Sequence, residues 1–128
     1  MTVNADLLKR TLTHIETHPD TWNQAEYRCR TGLCFAGWAA VLAGGVWLST
    51  DPDGVDRDVL VATDEEIARG DAIPVWDAYD DKRMGVPAHD RAQRLLGLTG
   101  EQAQRLFAGS NTIHDLRRIV AELCGEAP

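Results

Sequence analysis

The sequence predicts an α+β fold that is mostly helical: about five helices around a buried apolar helix at 33–43, with one small β-hairpin. Three observations carry this. The stretch YRCRTGLCFAGWAAVLAGGVW runs from Tyr27 to Trp47, and from Leu33 to Ala43 it holds no charge. A helix apolar on every side has to be surrounded by the rest of the protein, and this one is too short for a bilayer, which takes roughly 20 residues. The C-terminal third carries helical spacing punctuated by cap residues. Short β-branched runs flank a single strong turn. At 128 residues the chain is read as one domain, 1–128, and its 44% hydrophobic content is enough for a core.

Each element follows from local signals. Asn4 is a good N-cap for a helix over 5–18, with Leu8, Leu12 and Ile15 on one face. Pro19 ends that helix. Trp22 to Tyr27 forms a connection or short helical turn. Thr31-Gly32 turns the chain into the buried helix, which Gly44-Gly45 stops. Val46–Ser49 and Val59–Thr63 flank Asp51-Pro52-Asp53-Gly54, whose Pro and Gly positions fit a type I turn, so they form the hairpin. Thr63 or Asp64 caps a short helix through Arg69. Residues 70–85 read as irregular. Helices follow over 88–96, 99–108 and 113–124. Pro87 starts the first and Gly97 ends it, Thr99 with Gln102 makes a capping box for the second, and Thr112 caps the third.

Charge narrows the function. The net charge is −7, and residues 51–81 carry 11 Asp/Glu against 2 Arg, leaving +2 elsewhere. No part of the chain is basic enough to grip phosphates by charge alone, so nucleic acid is not expected as a partner. MTVNADLLKR lacks the apolar core of an export signal. With three cysteines, an odd number, the expectation is a cytoplasmic protein with reduced thiols, no membrane association and no cofactor.

Four constellations bear on chemistry. His14 and His18 share a helix face, and with Cys29 and Cys34 they offer four zinc ligand types, but the spacing is wrong for a finger. Cys34 near a helix start, with Arg28 and Arg30 nearby and His14 as base, outlines a catalytic thiol that matches no known signature. Asp51 to Asp58 has alternate oxygens, yet its Gly is fourth and position twelve is Ala62, which misses the calcium-loop pattern. The last three helices could pass for a helix-turn-helix, with Arg117 and Arg118 balanced by Asp115 and Glu122. Surface histidines, buried thiols, a hairpin turn and helical packing account for these residues without catalytic or metal sites.

The segments HIETHPDTWNQ (14–24), YRCRTGLCFAGWAAVLAG (27–44) and LLGLTGEQAQRLFAGSNTIHDLRRIV (95–120) resemble a family of small uncharacterised proteins of actinobacteria, other bacteria and their phages. Its pattern runs IExxPxxWxQ, CGTxxCxAGWA, LLGLTxxQAxxLF, NTxxDL. Arg30 stands where the pattern has Gly, and 48–86 is not covered. The resemblance implies a phage or prophage origin, and small phage proteins often act by binding host proteins. The expected function is therefore a non-catalytic cytoplasmic accessory factor that binds a host or phage protein, and that could also form a homo-oligomer. The alternatives are a small cysteine- or metal-dependent enzyme and a helix-turn-helix-like DNA-binding regulator. The expected partner-binding residues are Trp76, Asp77, Tyr79, Asp80, Asp81 and Met84, aromatic and thioether anchors within a rim of like charge.

Overall fold

The structure, a computed structural model, describes residues 3–22, 34–48, 59–76 and 82–125. Helix α1 spans Ala5–Thr17, and Asn4 Oδ1 accepts from the Leu7 amide, as an N-cap should. A 3-10 turn at Pro19–Thr21 follows. The apolar helix is α2, Phe35–Leu42, with Phe35, Ala36, Gly37, Ala39 and Ala40 buried. Then come β1 (Val59–Val61), α3 (Asp64–Arg69), β2 (Ile73–Trp76) and β3 (Lys82–Pro87). Helices α4 (Ala88–Leu96), α5 (Gly100–Phe107) and α6 (Ile113–Leu123) complete the chain. The mostly helical α+β reading holds.

The helical core lies around α2. Leu8 and Ile15 of α1, Phe35, Ala36 and Ala39 of α2, Leu96 of α4, Leu106 of α5 and Leu116 of α6 are almost wholly buried in one cluster. Small residues on α2 let its neighbours approach its backbone closely. The start of α1 is tied to the end of α4 by the Asn4 amide, which donates to Leu96 O at 2.8 Å. Thr63, Thr99 and Thr112 each form a reciprocal capping box at the helix they precede. Gly97 closes α4 at φ 69°, a conformation that glycine adopts without strain. No helix among the described residues is long and apolar enough to cross a membrane.

The sheet corrects one expectation. The pairing of 46–48 with 59–61 is present: Trp47 bridges Leu60, and the Leu48 amide donates to Val59 O at 2.9 Å. The turn at 51–54 lies outside the described residues. Residues 70–85 are not irregular throughout, however. β2 and β3 pair antiparallel, and β3 is the central strand of the order β1-β3-β2. Pro74 and Gly85 made these runs look unlike strands, and both positions have a structural reason. Met84 O accepts from the Ala62 amide and so faces β1. Across the Pro74–Met84 pair, the backbone of Pro74 therefore points to the free edge, where a missing N–H breaks no ladder bond. Gly85 is crowded: a methyl there would overlap Val59 Cγ1 and press on Leu48 Cδ2 at 3.0 Å. β3 then runs into α4 with no connecting residue, since Pro87 both ends the strand and caps the helix.

Candidate functional site

The two faces of the sheet differ in what covers them, not in polarity. Paired residues share a face, and successive residues alternate. One face presents Leu60 and Val86, both almost fully buried; Leu60 packs with Ala40 and Ala88. The other face carries an in-register row of Val46, Val61, Gly85 and Ile73 across all paired segments. Flanking it on the same side are Leu48, Val59, Val75 and Pro87, and Arg83 opposite Val75 is the one charged residue there among the described residues, so the face is largely apolar. Its rims are open: Val46 is 62% exposed and Ile73 45%. An antiparallel sheet with one solvated face ordinarily alternates apolar with polar residues.

Of the expected partner-binding residues, Trp76 lies on β2 and Met84 on β3. Trp76 is the last residue of β2, opposite Lys82. Met84 lies opposite Pro74, half-buried, on the side shared with Val86. Asp77, Tyr79, Asp80 and Asp81 lie outside the described residues. Ile73, which the sequence did not single out, is the exposed apolar residue of β2; its only local signal was its place in an Ile-Pro-Val-Trp run.

Cys34 and His14 belong to different environments. Cys34 is the N-cap of α2, 1% exposed, and its Sγ accepts from the Gly37 amide at 3.4 Å. The ring of His14 stacks on His18 with centroids 4.5 Å apart and meets Trp38 at 4.1 Å. Its Nε2 is enclosed with no hydrogen-bond partner. Burial first, then the neighbouring His18, lowers the His14 pKa below 6.5. A groove of about 440 Å³ beside His14 is lined by Lys9, Arg10, Thr13 and Leu42 among others, and Cys34 is not part of its described lining. No group of three or more His, Cys, Asp or Glu residues that could hold a metal ion occurs among the described residues. Cys29 and the Asp51–Asp58 stretch lie outside them.

On the C-terminal helices the arginines are turned toward the chain's own acids. Arg105 pairs with Glu122 at 2.5 Å, Arg117 with Glu16 at 2.9 Å and Arg118 with Asp115 at 3.5 Å. Such exposed pairs add little stability, but they neutralise the charge that a DNA-recognition helix would present.

A second site was missed by the sequence reading. Glu66 is the third residue of α3 and completes its capping box by accepting from the Thr63 amide at 2.9 Å. It is 1% exposed. From α4, Arg91 grips it with two donors: Nε to Oε2 at 3.0 Å and Nη2 to Oε1. Arg94 Nη2 adds a bond to Oε2 at 3.0 Å. Arg91 Nη2 also donates to Val61 O at 2.8 Å, so one guanidinium joins α3, β1 and α4. Burial pushes the Glu66 carboxyl up, but the hydrogen bonds from Arg91, the Thr63 amide and Arg94 outweigh it, and the pKa falls from 4.5 to about 2. The cluster forms one wall of a cleft of about 430 Å³. The Thr63-to-Glu66 capping motif was legible; its burial beneath Arg91, 25 residues on, left no local sign.

Comparison of the chain with protein-family models, with characterised proteins and with solved structures gives no match.

Proposed function

We propose that this protein is a non-catalytic, cytoplasmic accessory factor that acts by binding a host or phage protein through the outer face of its sheet. The row Val46–Val61–Gly85–Ile73 carries the reading. A largely apolar face with exposed rims is a surface suited to being covered. Val46 and Ile73 stand at its two open edges. The fixed geometry of a sheet presents such anchors with little ordering cost on binding. Trp76, Tyr79 and the acids at 77, 80 and 81 follow Ile73 closely in sequence, and their aromatic and charged types suit contacts with a partner. A phage or prophage origin rests on the resemblance of the segments at 14–24, 27–44 and 95–120.

The experiment compares wild type with Val46→Asp and Ile73→Asp. Cross-linking in host cells, with the partner identified by mass spectrometry, reads capture; thermal melting reads the fold; sedimentation reads self-association. Capture of one defined partner that either aspartate abolishes, with the melting temperature kept, is the expected result. A collapse in melting temperature in both variants would mean that the face is internal packing, and the reading fails. Dimerisation of wild type lost in both variants would make the occupant a second copy of this chain.

A further inference from the structure

We propose that the cleft beside the Glu66 cluster binds an α-carboxylate that is flanked by an N–H donor and an apolar side chain. This site is separate from the sheet face and does not depend on it. Arg91 is 7% exposed on its side chain and lines the cleft. Nε and Nη2 are engaged by Glu66 and Val61. Among the described residues Nη1 has no acceptor, yet it is not among the enclosed unpartnered atoms. It therefore offers its N–H groups to the cleft. Arg94, with 42% of its side chain exposed, uses only Nη2 on Glu66, which leaves further donors beside it. Glu66 holds both guanidiniums in place before any ligand arrives, so little rotamer freedom is lost on binding.

Charge selects the anion. Arg91 and Arg94 share the single carboxylate of Glu66, a net of one positive charge. Asp71, also in the wall, is occupied by Arg69 at 2.9 Å. Asp90, 67% exposed on its side chain, adds a negative charge at the cleft. A dianionic phosphate would meet that carboxylate. A monoanionic carboxylate suits the guanidinium donors, and an adjacent N–H gives Asp90 a donor to accept from. Val86 and Leu98 are the apolar residues of the cleft lining and favour an apolar side chain beside the carboxylate. The volume of about 430 Å³ falls in the range of small-molecule sites. Two sources share this chemistry: the C-terminus of a peptide and a free apolar amino acid.

The test is an NMR titration of the full chain with N-acetyl-leucine, leucine and N-acetyl-leucinamide at millimolar concentration. Saturable shifts along 86–98 from an acid, with none from the amide, are expected. Tighter binding of N-acetyl-leucine assigns the site to a peptide terminus; tighter binding of leucine assigns it to the free amino acid. Arg94→Gln should weaken the acid by about tenfold or more. If that variant melts lower than wild type, Asp90→Asn, at an exposed position, becomes the deciding variant and should also weaken it. Failure of both acids to saturate, equal binding of the amide, or unchanged affinity in the deciding variant overturns the proposal.

Discussion

Replacing Glu66 by Gln tests the ion cluster that joins α3 to the rest of the fold. The substitution keeps the shape and one acceptor oxygen but removes the charge from a side chain 1% exposed. Arg91, 6% exposed, would then stay buried without its counter-charge. Breaking a buried pair in this way costs about 3–5 kcal/mol. An independent route agrees. The carboxyl is held at about 2 against 4.5, and that depression corresponds to on the order of 3 kcal/mol by linkage. Against a total of about 5–15 kcal/mol for an ordinary domain, this is a large share. Because the folded-state pKa is the lower one, the contribution is complete above pH 4.5 and is lost as pH falls toward 2. Urea unfolding across that window, wild type beside variant, separates the terms. The gap between the two proteins should be widest at neutral pH and should close on acidification. Substituting Glu66→Leu and Arg91→Met together should harm less than Glu66→Gln alone, because no buried charge is left behind. A Gln variant within about 0.5 kcal/mol of wild type at neutral pH, or a gap that does not change between pH 4.5 and 2, would refute the reasoning.

His14→Phe keeps a ring against Trp38 and removes the enclosed nitrogen that has no partner, so it should stabilise by about 1 kcal/mol at neutral pH. The His14 pKa is lowered from 6.5, so its contribution to wild-type stability is present above pH 6.5 and declines below it; melting curves on either side of that pH should show the decline reduced in the variant, and a variant less stable above it would contradict this. Gly85→Ala forces a methyl into Val59 Cγ1 and Leu48 Cδ2 and should cost about 1–3 kcal/mol in chemical denaturation; a neutral result would mean that the strands separate more easily than their packing implies. Thr99→Ala removes the hydroxyl that accepts from the Gln102 amide at 3.2 Å, with an expected loss of about 1 kcal/mol read from the denaturation midpoint. An unchanged midpoint would show the start of α5 held by its tertiary contacts alone.

The helices were legible because their signals are local. Asn4, Thr63, Thr99 and Thr112 mark starts that the structure reproduces, each through a side chain accepting from an amide three residues on. The uncharged run at 35–42 announced its burial by composition alone. What stayed hidden depends on neighbours distant in sequence. Pro74 and Gly85 act as breakers in isolation, and only the partner strand makes one harmless and the other necessary. Likewise Glu66 and Arg91 look like two ordinary surface charges until the fold buries them together. The apolar character of Val46, Val61 and Ile73 was visible, but their alignment on one face needed the register.

The junction at Pro87 governs how this molecule opens. Strand β3 and helix α4 share that residue, so 82–96 is one continuous stretch without slack between pleated and helical backbone. Residues with no flexible connection between them cannot unravel independently, and cooperative opening units tend to follow such seams. Deuterium uptake along this stretch should therefore rise in a single step, with strand and helix amides sharing one free energy of exposure. The Arg91 bond to Val61 O brings β1 into the same event. Strands β1 and β3 should thereby share the slow exchange of the helical core.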